Sequence, residues 1–181
     1  MILIISTCKE KLHEPEFVRP IEDILKKGGI KFTTKHYNKL SSSDISSADK
    51  IIITGTSLKD NYFLQDLNKF EWILYTKKPI LGICAGMQII GFIFNGKLGK
   101  KKEIGMTQIK FSKEFLGMKE EKEVYELHNN YVVFRDIKNF EIFARTSIAQ
   151  AVKHKSKPVY GVLFHPEIRN KEIIINFINL N

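Results

Sequence analysis

Short β-branched apolar runs alternate along this chain with longer stretches whose apolar positions recur at helical spacing. That order predicts strands joined by crossover helices. Residues 2–5 read as a buried strand. Phe17, Ile21, Ile24 and Leu25 then fall on one helical face, and Gly28-Gly29 supplies the stop. Residues 30–36 follow as a second strand, and residues 41–47, rich in capping and turn-forming side chains, as a short helix or loop. Ile51, Ile52 and Ile53, ended by Thr54-Gly55, form a continuous apolar run of the kind a central strand buried on both faces requires. Phe63, Leu64, Leu67, Phe70, Ile73 and Leu74 make a helical stripe behind it, and residues 79–83 the next strand. Met87, Ile89, Ile90, Phe92 and Ile93 give a nearly all-apolar helix, as expected of one packed deep in the fold.

From about Glu103 the pattern changes to short strands with turns, at residues 106–111, 131–134, 140–144 and 159–164, before a helical segment over 171–180. The whole reads as an α/β fold: an open, mainly parallel sheet flanked by helices on both sides, with ligands held beyond the carboxyl ends of its strands. At 181 residues and 43% hydrophobic composition there is material for one sizeable core, so residues 1–181 are expected to form a single domain. The opening residues lack the pattern of a secretory leader and no stretch approaches the ~20 apolar residues of a membrane helix. A cytoplasmic protein with no membrane association is therefore expected. Cys8 and Cys84 are too few for a disulfide framework and are read as reduced thiols. The net charge of +9 raises the question of nucleic acid, but only Arg19, Arg135, Arg145 and Arg169 of the 29 basic residues carry the planar fork suited to phosphate. A solvated lysine surface is the expectation, and a nucleic-acid partner is not.

The segment Gly82-Ile83-Cys84-Ala85-Gly86-Met87-Gln88 places a nucleophile between two glycines, at the junction of an apolar strand and an apolar helix. That is the setting of a nucleophile elbow, with cysteine in place of serine. The glycines allow close backbone approach in a strained turn, and the helix N-terminus favours a negatively charged sulfur. A lone cysteine is more often a buried core residue. Cys8, with no such setting, is read that way. A cysteine nucleophile also needs a base and the base an orienter. Gly161-Val162-Leu163-Phe164-His165-Pro166-Glu167 offers both, since residues two apart in an extended segment project to the same side and Glu167 can then hold the tautomer of His165.

These two blocks, Gly-Ile-Cys-Ala-Gly-Met-Gln and Gly-Val-Leu-Phe-His-Pro-Glu, resemble the signature blocks of class I glutamine amidotransferases, whose fold is flavodoxin-like. The tract over 148–167, with Gln150, Lys153-His154 and Lys157-Pro158, is most similar to the GMP synthase branch of that family. The resemblance runs from about Lys50 onward. It implies a glutaminase that releases ammonia from L-glutamine through a γ-glutamyl thioester on Cys84, with His165 and Glu167 completing the triad and an ATP-dependent synthetase accepting the ammonia. It also implies an oxyanion hole built from Ala85 and from the turn at Gly55 and Thr56, and contacts to substrate from Gln88, His128, Asn129 and Asn130. At that turn the family usually carries a second glycine and a proline where Thr56 and Ser57 stand. On residue type alone, His128 reads equally as a loop residue and Asn129-Asn130 as a turn.

His13 and His36 match nothing in the family pattern, and His154, beside several lysines, is expected to face water. The spacing of His, Cys and acidic residues shows no metal set, no phosphate loop and no dinucleotide fingerprint, so no metal or cofactor is expected. Two other readings remain open: a stand-alone γ-glutamyl hydrolase using the same triad, and a binding or regulatory module that keeps the fold without the chemistry.

Overall fold

The computed structural model describes residues 1–180. Among them nine strands form one sheet: β1 (Ile2–Ser6), β2 (Phe32–His36), β3 (Lys50–Ile53), β4 (Ile80–Ile83), β5 (Leu98–Phe111), β6 (Glu121–Val132), β7 (Phe140–Arg145), β8 (Ala149–His154) and β9 (Val159–Val162). Their order is β2-β1-β3-β4-β9-β8-β7-β5-β6. The five strands from β2 to β9 are parallel, and the four from β8 to β6 extend the sheet antiparallel. The α-helices are α1 (Glu14–Phe17), α2 (Arg19–Lys27), α3 (Ser42–Ser47), α4 (Ala85–Ile93) and α5 (Glu172–Ile178).

Side chains alternate across the parallel half and divide the core in two. Ile2, Ile4, Ile52, Leu81 and Ile83 face a layer with Phe17, Ile21, Leu25 and Phe177. Leu3, Ile5, Ile51, Ile53 and Ile80 face the other layer, with Phe63, Phe70, Ile89 and Ile90. Helices therefore cover both faces, which is why these strands read as unbroken apolar runs. The α/β architecture expected from the pattern is the one present. At 41–47 a helix forms, because Ser41 and Asp44 cap it reciprocally: Ser41 Oγ accepts from Asp44 N–H at 3.2 Å and the Asp44 carboxylate from Ser41 N–H at 3.0 Å.

The structure departs from the pattern in two places. The stripe over 63–74 is not α-helical but two 3-10 segments, Tyr62–Gln65 and Leu67–Leu74. Leu64, Leu67, Phe70 and Ile73 recur every three residues, and a helix of three residues per turn stacks them on one line facing the core. β5 and β6 are also far longer than the expected strands at 106–111 and 131–134. On β6 the inward positions are Val124, Glu126, His128, Asn130 and Val132, and the three polar ones erase the hydrophobic period that marks a strand. β5 begins in a lysine-rich stretch with outward Ile104 and Met106, and its register with β6 shifts between Lys100 and Glu103.

α5 closes the first layer with Ile173, Ile174 and Phe177 fully buried, and the Lys50 ammonium donates to the carbonyls of Ile178 and Leu180 at its C-terminal end. Phe177→Ala is expected to lower the free energy of unfolding by about 3–5 kcal/mol, as for other fully buried phenylalanines. Urea unfolding monitored by circular dichroism measures it, and a loss below about 1 kcal/mol would place this ring outside the core.

Candidate active site

Ile83 ends β4 and Ala85 begins α4, so Cys84 makes the turn between them, at φ 49° and ψ −103°. A non-glycine residue in that region is strained, and surrounding contacts must hold it there. Its N–H donates to Val162 O at 2.8 Å, and its carbonyl accepts from Gln88 N–H at 3.0 Å. The flanking glycines are required by space. A Cβ on Gly82 would lie 2.5 Å from the Gly86 carbonyl carbon, and one on Gly86 would lie 2.2 Å from Ile53 O. The Cys84 sulfur is buried and donates to Leu127 O on β6 at 3.6 Å.

His165 follows β9, its N–H donating to Tyr125 O at 2.9 Å. Glu167 reaches it through a turn and not through the extended segment anticipated from the sequence: the His165 carbonyl accepts from both Ile168 N–H and Arg169 N–H. Nδ1 of His165 lies 2.7 Å from Glu167 Oε1, and both residues are 1% exposed. That contact leaves Nε2 without a protein partner, free for the Cys84 thiol. Burial opposes charge on this ring, but the Glu167 carboxylate and then Cys84 outweigh it and hold the His165 pKa well above the ordinary histidine value. Gly55 fits between Cys84 and His165: a Cβ there would lie 2.7 Å from His165 Cε1 and 3.3 Å from Cys84 Cβ.

The turn after β3 is fixed by its carbonyls. Gly55 O accepts from Thr54 Oγ1 at 2.9 Å, Thr7 Oγ1 at 3.1 Å and Cys8 Sγ at 3.8 Å. In a trans peptide the following N–H points opposite to the carbonyl, so Thr56 N–H is directed away from Thr7 and Cys8 and donates to no protein group. Thr56 does not adopt positive φ, so its β-branch costs nothing there. Its hydroxyl donates instead to Asp60 Oδ2 at 2.6 Å, and Asp60 also accepts from Lys9 N–H at 2.7 Å and Tyr62 N–H at 3.3 Å. Asp60 thus braces the loop around Thr56. Cys8 supports the same turn, its thiol pKa pushed up to about 11, chiefly by burial.

Gln88, one turn into α4, donates through Nε2 to Asn130 O at 3.1 Å and leaves Oε1 buried without a partner. Asn130 Nδ2 donates to Asn61 Oδ1 at 2.8 Å. His128, Asn129 and Asn130 lie within β6, not in a loop or turn. His128 and Asn129 line a narrow cleft together with Cys84, Gln88, Thr56 and Ser57. The His128 ring turns its Nε2 toward Glu103 and Glu126, 3.2 Å from each, and this trio is the one cluster among the described residues able to hold a metal. His154 does not face water. It is buried against Phe94 and Phe140, accepting through Nδ1 from Ser156 and Lys157 N–H.

Sequence reasoning missed Thr7, Asp60, Asn61, Glu103 and Glu126, which act through contacts across the sheet that no local spacing announces.

The raised His165 value gives a testable pH dependence. The fold keeps this ring protonated to higher pH than the unfolded chain does, so the stability supplied by Glu167 is fully present below about pH 6.5 and is lost as pH rises through the folded value. The Glu167→Gln chain is therefore expected to show its largest stability deficit in urea below about pH 6.5 and a deficit that shrinks as pH rises through the folded value, and a deficit that grew with pH would contradict the shift.

With this geometry established, comparison with known proteins gives a consistent result. The model of the family Glutamine amidotransferase class-I matches residues 14–179. A glutamine-hydrolyzing GMP synthase subunit from Methanocaldococcus jannaschii is 37% identical over 121 residues, covering 61% of this chain and 64% of that one. The chain thus spans less than two thirds of that relative's length. The subunit of the same name from Thermoplasma acidophilum is 29% identical over 154 residues, covering 79% of this chain and 77% of that one. The crystal structure of a protein of this GMP synthase type, also from Thermoplasma acidophilum, superposes with a TM-score of 0.83 at 24% identity, covering 99% of this chain and 93% of the other, which establishes the shared fold. No helix among the described residues is long and apolar enough to cross a membrane. The family match runs from α1 through α5 and takes in every strand but the first, and on that span the chain belongs to the class-I glutamine amidotransferase family.

Proposed function

We propose that this chain hydrolyses L-glutamine to glutamate and ammonia, with Cys84 as nucleophile, His165 as general base and acid, and Glu167 as the group that orients and charges the imidazole. The observation that carries this reading is the convergence on Gly55, where the Cys84 side chain, a histidine ring anchored by the Glu167 carboxylate and the turn after β3 come together.

In this reaction the proton of the thiol already lies on the His165 ring, whose raised pKa favours it there, and the Cys84 thiolate attacks the side-chain amide carbon. The oxyanion that forms accepts from Ala85 N–H at the start of α4 and from Thr56 N–H. Donors of this type lower the barrier by about 3–4 kcal/mol each. The protonated ring then gives its proton to the departing nitrogen, ammonia leaves, and a γ-glutamyl thioester remains on Cys84. Water, deprotonated by Nε2, attacks the thioester, and glutamate is released as sulfur recovers the proton. Gln88 Oε1, an unpaired acceptor, and Asn129 are assigned to the α-amino and carboxylate groups of the substrate. Asn130, tied to Gln88 and Asn61, and His128, turned toward Glu103 and Glu126, hold that wall in place.

The ammonia is assigned to an ATP-dependent synthetase partner of the GMP synthase type, a reading supported by the names of the GMP synthase relatives.

Ammonia release from glutamine, assayed with and without the synthetase partner, tests both parts. Cys84→Ala is expected to lower kcat by roughly 10⁴-fold or more. Gly55→Ala, which drives a methyl group into the ring, is expected to cost at least about 10²-fold in kcat/KM. An active Cys84→Ala chain would overturn the mechanism. Fast turnover that no synthetase stimulates would favour a stand-alone γ-glutamyl hydrolase over the partnered enzyme.

A further inference from the structure

We propose that Glu103, Glu126 and His128 form a binding site for one divalent transition-metal ion, zinc in the first instance, on the inward face of the β5–β6 ladder. The site adjoins the glutamine cleft but does not depend on the glutaminase reading.

The strands bring these residues together by simple geometry. Glu126 and His128 are two apart on β6 and share its buried face. Glu103 stands directly opposite His128 on β5, at the first register position after the irregularity that follows Lys100. An extra residue in one strand re-aims the side chains beside it, and here the re-aimed side chain is a carboxylate.

The contacts within the trio are not those of a hydrogen-bonded network. His128 Nε2 is 3.2 Å from both Glu103 Oε2 and Glu126 Oε2, yet it makes no aligned hydrogen bond to either. Both oxygens of Glu126, which is 0% exposed, also lack partners. The donor atoms thus approach one another without pointing at one another, as atoms do when they face a common centre. The spacing fits such a centre. A tetrahedron with metal–ligand distances near 2.05 Å has edges of about 3.3 Å. A magnesium octahedron would have edges of about 2.9 Å, and hard cations avoid imidazole nitrogen.

Outside the trio, Gln150 on β8 is fully buried and donates through Nε2 to Glu103 Oε2 at 3.5 Å, which keeps that oxygen on the side of His128 and leaves three protein ligands and an open fourth position. Charge agrees as well. Lys101 Nζ occupies Glu103 Oε1 at 2.7 Å and balances one carboxylate, while the Glu126 carboxylate faces His128 at 3.2 Å and lies within 4.8 Å of a second carboxylate, Glu103. Isolated buried carboxylates are costly, and coordination to a cation removes that cost. A bound ion would also fix the strand whose next carbonyl, Leu127 O, receives the Cys84 thiol.

Cobalt(II) titration of the full chain tests the site, in a Cys84→Ala background so that the nucleophile cannot act as a ligand. Saturation at one ion per chain is expected, with visible absorption bands of tetrahedral intensity, no sulfur-to-cobalt charge transfer, and displacement by zinc. Glu126→Gln should weaken binding at least about 100-fold, beyond the loss typical of residues that only support a ligand. Should that variant fail to fold by circular dichroism, Glu103→Gln, at a partly exposed position, provides the same comparison. No saturable spectrum from folded protein, or unchanged affinity in the folded glutamine variants, would overturn the proposal.

Discussion

The contact on which the site depends is the approach of Gly86 to the Ile53 carbonyl. α4 can start immediately after β4 only if its first turn lies against the end of β3, and there the distance leaves no room for a Cβ. That closeness compresses the connection into one residue and forces Cys84 to φ 49°. Backbone strain of this kind costs of order 1–3 kcal/mol and persists only where neighbouring contacts over-determine it. The N–H of Cys84 bound to Val162 O, the Gly82–Gly86 contact and the fully buried Ile89 and Ile90 supply them. The same approach delivers the turn after β3 to Cys84, so the strained cysteine and the turn carrying the Thr56 amide are set by one packing event.

The remaining wall comes from the antiparallel half of the sheet. β6 carries polar side chains where a strand would ordinarily place core residues, and each is tied to a different element. Asn130 joins Gln88 of α4 to Asn61 of the loop after β3, Leu127 O receives the thiol, and His128 and Glu126 face Glu103 across the ladder. An apolar inner face would have been simpler to fold but would have left α4 and the 57–61 loop without a common anchor. Asp60 completes the frame by gathering Thr56, Lys9 and Tyr62.

How much of this was readable in the sequence follows from which forces are local. The parallel strands announced themselves because burial on both faces leaves runs such as Ile51 to Ile53, and the elbow because two glycines bracket a cysteine between a strand and a helix. The His165–Glu167 pair was legible from spacing, although a turn and not an extended backbone brings them together. The 3-10 segments were hidden because a three-residue repeat of Leu64, Leu67, Phe70 and Ile73 resembles an amphipathic α-helix over so short a span. β6 was hidden because Glu126, His128 and Asn130 occupy its inward positions, and the alternation E-x-H-x-N becomes informative only once Glu103 is placed opposite. The burial of His154 beneath Phe94 and Phe140 is likewise a tertiary event, concealed by the lysines around it.

The central claim is that the strained cysteine, and not merely its neighbourhood, does covalent chemistry on glutamine. Mass spectrometry of the protein quenched during turnover measures this directly. The peptide containing Cys84 is expected to gain the mass of one glutamyl group, hydroxylamine to remove the adduct, and Cys8 to stay unmodified. Turnover with no adduct on Cys84 under any quenching condition, or an adduct on Cys8 instead, would contradict it.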